Sequence, residues 1–126
     1  MDAIAAAIFS LCVVCAALFQ LALACGAPLG HLAMGGRYPG RFPPPLRVAA
    51  LVQALVLSGF ALIALTKAKL VFPQYYELAE NAMWLVAGIS ALSLAMNLMT
   101  PSKAERQLWA PVAAAMLASS SWLALA

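Results

Sequence analysis

From Ala3 to Cys25 the chain carries no charged residue and no proline. As a helix rising about 1.5 Å per residue, a run of this length reaches about 34 Å, enough to cross a hydrocarbon core of about 30 Å. Three further stretches, 47–66, 80–100 and 108–126, repeat the pattern, and none of the seven Lys/Arg or four Asp/Glu residues falls in the middle of an apolar run. With 66% hydrophobic and 9% charged residues, the chain lacks the roughly 25% charge that gives a globular domain its wetted surface. Hydrocarbon offers backbone groups no hydrogen-bond partners, so such runs must satisfy them internally, as helices do. The expected fold is an all-α transmembrane bundle of four helices, one domain over 1–126, with the lipid bilayer as its main partner.

Between the first two runs lies the most unusual segment. Cys25 to Arg47 holds five of the seven glycines, five of the eight prolines, the only histidine and three of the seven Lys/Arg residues. Gly26 and Pro28 stop the first helix in the expected order, with Gly able to take a left-handed cap. At 26–46 the loop exceeds the usual 2–8 residues of a bundle connection. It is also semi-apolar, through Leu29, Leu32, Met34, Phe42 and Leu46. Such a segment is expected on the membrane interface, the alternative being a re-entrant turn lined by protein.

Pro43, Pro44 and Pro45 predict an extended lead-in, with the second helix starting near Leu46 and Gln53 as its one strongly polar interior residue. Lys67 and Lys69 mark its exit, and Phe72, Tyr75 and Tyr76 suit a turn at headgroup depth. Glu77 and Glu80 complement the dipole of the third helix. Ser102 and Glu105 match a capping box, so 102–109 reads as a short interfacial turn before a fourth span bent at Pro111 and anchored by Trp122.

The net charge of +3 is too small and scattered for nucleic acid, but it predicts orientation. Arg37, Arg41, Arg47, Lys103 and Arg106 share one face, and Lys67 and Lys69 the other. The positive-inside rule then places both termini outside and the Gly/Pro loop in the cytoplasm, in a bacterial inner membrane. A cleaved signal peptide is not expected, because the N-terminus has no Lys or Arg and the run exceeds an h-region.

Most constellations that suggest chemistry dissolve on inspection. Cys12 and Cys15 have redox spacing, but they lie mid-span, where a thiolate is disfavoured. They also lack a second pair to relay electrons. An intramembrane thiol-redox enzyme is therefore the minor reading, and the pattern points away from an enzyme. With Cys25 the three thiols make no disulfide framework. His31 lacks the companions of a metal site, the methionines form no ladder, and no cofactor or metal is implied. Uncharged spans disfavour a proton-coupled carrier, while an oligomeric channel or transporter remains open.

One set survives. Gln20, Gln53 and Asn97 should fall within about 5–10 Å of the same membrane face, the face that carries His31, Arg37, Arg41, Arg47 and Arg106. Buried amides are costly in hydrocarbon without partners. They either bond to one another and to loop carbonyls, or line a pocket. With guanidinium groups suited to phosphate, these eight residues form a candidate site for an anionic lipid or small amphiphile. Ala87, Ala91 and Ala95, one turn apart, form a candidate interface for a homo-oligomer or a larger membrane complex.

The loop from Gly26 to Arg47, Met96-Asn-Leu and Glu105-Arg-Gln-Leu-Trp-Ala-Pro together resemble a group of small bacterial four-helix integral membrane proteins of unassigned function. The resemblance covers most of the chain. It implies a four-span bacterial membrane protein and brings no reaction, cofactor or partner.

Overall fold

The computed structural model describes residues 1–126. Four helices, α1 (Asp2–Ala24), α2 (Pro44–Lys67), α3 (Tyr76–Met99) and α4 (Lys103–Leu125), follow in order, with two 3-10 turns at Gly30–Leu32 and Met34–Gly36 between α1 and α2 and one at Pro73–Tyr75 between α2 and α3. All four are long and apolar enough to cross a membrane. They form an all-α up-and-down bundle that closes as a ring, α1 against α2 and α4, α3 against α4 and α2. The α2–α3 seam is the loosest of the four.

Residue size, more than polarity, marks the inward faces, because these helices are apolar on every side. Ala5, Ala6, Phe9 and Val13 of α1 meet Leu57 and Ala64 of α2, Met83 and Val86 of α3, and Leu123 and Ala124 of α4. The alanines let the backbones approach, and Phe9, Met83 and Leu123 fill the centre. This core occupies the half of the bundle nearer the termini. Only 26 of 126 residues are buried, and large side chains such as Leu11, Leu18, Leu55, Leu85 and Leu92 stand outside. That surface is compatible with an integral, multi-pass membrane protein surrounded by acyl chains.

Several hydroxyls within the helices find partners locally, while the buried Ser10 Oγ of α1 has none. Ser58, Thr66, Ser90 and Ser119 each donate to the carbonyl four residues back, at 2.7–2.9 Å. Asn97 Nδ2 likewise donates to Ser93 O at 2.8 Å.

The helix ends correct several sequence expectations. α2 begins at Pro44, not at 47: Pro43 alone is extended (φ −65°, ψ 157°), and the next two prolines form the first turn. First-turn N–H groups have no intrahelical partner, so proline loses nothing there. α3 begins at Tyr76 rather than 80. α4 runs unbroken from Lys103 to Leu125, with no separate 102–109 turn. Its start is set by Ser102 Oγ, which accepts the Glu105 N–H at 3.2 Å. Pro111 removes a single donor, while Ala110 and Ala113 on either side stay packed.

The C-terminus of α1 follows expectation. Gly26 turns left-handed (φ +91°), and the Ala27 and Gly26 N–H groups return to the Ala22 and Leu23 carbonyls at 2.9 and 3.1 Å. α2 ends with the same bond pattern, but Lys69 (φ +64°) takes the position glycine usually fills.

The end near the termini is sealed by polar contacts. Lys67, 2% exposed, donates to Tyr76 Oη at 3.2 Å and to the Ala126 carbonyl at 3.1 Å. Glu80 stands 3.7 Å from its ammonium. Trp122 Nε1 donates to Asp2 Oδ1 at 3.1 Å.

Candidate functional site

At the opposite end the Gly/Pro loop folds over the bundle. Its two limbs meet at Gly30, whose N–H donates to the Gly40 carbonyl at 2.9 Å. Phe42 then turns inward against Leu23 and Ala50, forming a small second core with Phe19, Leu29 and Leu46. Gly35 (φ +69°) lies against Pro101, and its N–H donates to Glu105 Oε2 at 2.8 Å.

Glu105 departs from the capping box its spacing suggested. In that motif the carboxylate returns to the N-cap N–H. Here the Ser102 N–H goes to Thr100 Oγ1 at 3.3 Å. The carboxylate instead accepts the Gly35 N–H and the Thr100 hydroxyl, the latter at 3.2 Å. Ser102 Oγ adds a second tether by donating to the His31 carbonyl at 2.9 Å. The N-terminus of α4 thus holds the loop down.

Beneath this roof lies a cavity of about 350 Å³. Its apolar wall includes Phe19, Leu32, Met34, Phe42, Leu57 and Met116, and its polar groups are Gln20, Gln53, Ser93, Asn97, Glu105 and Trp109. All four helices and the loop contribute. Ala49, Gln53 and Ser93 are exposed, whereas Ala50, Phe42 and Glu105 are buried. The mouth therefore opens sideways at the α2–α3 seam, and the floor lies toward α1, α4 and the loop.

The structure brings Gln20, Gln53 and Asn97 to one wall, but they do not bond to one another. Asn97 turns its Nδ2 to its own helix, which leaves its Oδ1 as an acceptor. The loop is held by Glu105, Ser102 and Arg47 rather than by amides. The remaining candidates stand off the wall. Arg47 Nε donates to the Ala24 carbonyl at 2.9 Å, closing the end of α1. Arg106 donates to the Thr100 carbonyl at 3.0 Å. The Arg41 guanidinium packs over Gly26, and Arg37 and His31 are exposed.

Two cavity residues were not legible as such in the sequence. Glu105 read as a cap and Trp109 as the end of the short interfacial turn 102–109. The Trp109 ring tilts against Phe19 at 4.8 Å between centroids, and its Nε1 is buried with no hydrogen-bond partner. A lone Glu three residues past Pro-Ser and four before a Trp was the available signal, because that spacing places both on one helix face.

Outside the cavity, Ala87 packs on the core, while Ala91 and Ala95 are exposed. Gly88 beside them has nothing within 4 Å of where a β-carbon would stand. Cys12 and Cys15 are free thiols in the middle of α1, and Cys25 is free and exposed beside the loop. No family model matches this chain, and no curated protein or solved structure matches it.

Proposed function

We propose that this protein binds or carries a small amphiphile, whose polar head enters the cavity sideways from the bilayer between α2 and α3. The observation that supports this reading is a wall of three amides and a carboxylate, opening at the bundle's loosest seam. Polar groups facing hydrocarbon without partners are costly, and a head group filling the cavity would remove that cost. A volume of about 350 Å³ sits within the roughly 300–1,000 Å³ of small-molecule sites. A tail would leave along the apolar outer faces of α2 and α3.

The arginines serve a different part of this reading. Arg47 and Arg106 engage helix-end carbonyls and Arg37 and Arg41 are exposed; all four sit at the rim, where they orient the bundle on anionic lipid phosphates. Their face is the cytoplasmic one, with both termini outside, in a bacterial inner membrane. The resemblance to small bacterial four-helix proteins agrees with that location.

Native mass spectrometry from a mild detergent tests the proposal. The expected result is a defined adduct retained by the wild type and lost in Gln53→Trp, which plugs the mouth at an exposed position. Adducts that follow bulk lipid composition and ignore the substitution would leave the cavity without a ligand.

A second reading is association through the outer face of α3, to itself or to a larger membrane complex. Exposed Gly88, Ala91 and Ala95 favour it, since small residues permit close helix approach in lipid.

A further inference from the structure

Resting on that reading, we infer that the cavity selects an uncharged head group whose hydroxyl and carbonyl oxygens pair with the carboxamides of Gln20, Gln53 and Asn97. Three observations lead there. First, no cationic side chain stands on the wall. The arginine nearest the roof, Arg47, is directed at the Ala24 carbonyl. A phosphate or carboxylate inside would share a low-dielectric space with Glu105 and have no counter-charge, which is strongly unfavourable.

Second, Glu105 does not call for a cationic ligand. Its carboxylate already accepts from Gly35 and Thr100, and it sits in the first turn of α4, where the helix dipole favours negative charge. An ammonium head would duplicate a compensation the fold provides.

Third, the uncharged polar groups on the wall are carboxamides and a hydroxyl, which both donate and accept. The free Asn97 Oδ1 and the Gln20 and Gln53 carboxamides can take hydroxyls or carbonyls. A glycerol ester or a ring carbonyl has this chemistry.

The test uses three probes with the same decyl-length tail: 1-decanoylglycerol, decyl phosphate and decylammonium. Each is titrated against the whole protein in a neutral detergent, and bound fractions are read by native mass spectrometry. The neutral probe is expected to bind at least about tenfold more tightly than either charged one. Asn97→Leu keeps the side chain's size but removes its carboxamide, and should weaken the neutral probe by roughly tenfold. Trp122→Phe, at the far end, should leave it unchanged.

Tightest binding of decyl phosphate would overturn the inference and move the head to the arginine rim. Tightest binding of decylammonium would overturn it in favour of Glu105 as the selecting group. Equal binding of all three, indifferent to Asn97→Leu, would mean that tails alone partition into the seam. Any of these would leave an amphiphile site standing. Retention of no probe would instead sink the amphiphile reading itself.

Discussion

At Gly30 a β-carbon would lie 1.8 Å from the Tyr38 carbonyl oxygen, so the two limbs of the first loop meet only because this position has no side chain. Gly30→Ala should therefore open the loop, at a cost of about 1–3 kcal/mol. Trypsin digestion in detergent would report it as faster cleavage after Arg37 and Arg41, both exposed in that loop. Lys67 is the corresponding residue at the other end, its ammonium shared between Tyr76 and the Ala126 carbonyl. Lys67→Ala removes buried packing and two hydrogen bonds, and should destabilise the bundle by about 2–4 kcal/mol. Lys67→Met keeps the packing and avoids burying a charge, so its loss should be much smaller. Unfolding in SDS, followed by circular dichroism, separates the two.

Among the elements, the first turn of α4 does the most to shape the site. A sequence reader sees Ser102 and Glu105 as a helix start, which they are. The same turn also holds the loop through the Gly35 N–H and the His31 carbonyl. Glu105→Ala should leave the Gly35 N–H unpaired and loosen the loop by about 1.5–3 kcal/mol, the range for hydrogen bonds to a charged group. Glu105→Gln retains an acceptor and should lose less. Hydrogen exchange at residues 30–42 would rank wild type, Gln and Ala in that order of protection. Equal protection in all three would assign the loop's hold to Phe42 and Arg47 instead.

For the molecule as a whole, the testable quantities are orientation and association. Cys25 is exposed beside the loop, whereas Cys12 and Cys15 lie mid-helix, so the native chain carries its own reporter. With the loop cytoplasmic, a membrane-impermeant maleimide should label Cys25 in inverted vesicles and not in intact cells. The reverse pattern would invert the topology. For association, Ala91→Leu should fill the groove beside Gly88 and shift the particle to a smaller size in mild detergent. An unchanged size would remove α3 as the interface.

By itself the sequence determined the four spans and the left-handed cap at Gly26, and put Gln20, Gln53 and Asn97 toward one end of the bundle. Each of these follows from local rules: run length against bilayer thickness, glycine's tolerance of positive φ, and a fixed rise per residue. The tertiary structure alone decided that the amides face one cavity, that Glu105 and Trp109 join them, and that Arg47 and Arg106 turn to carbonyls. The physical reason is that backbone acceptors have no signature in sequence. The Ala24, Thr100 and His31 carbonyls that draw Arg47, Arg106 and Ser102 become available only where a particular helix ends. In helices apolar on every side, no polarity pattern marks the inward face, so packing chooses it, and with it which polar side chains share a wall.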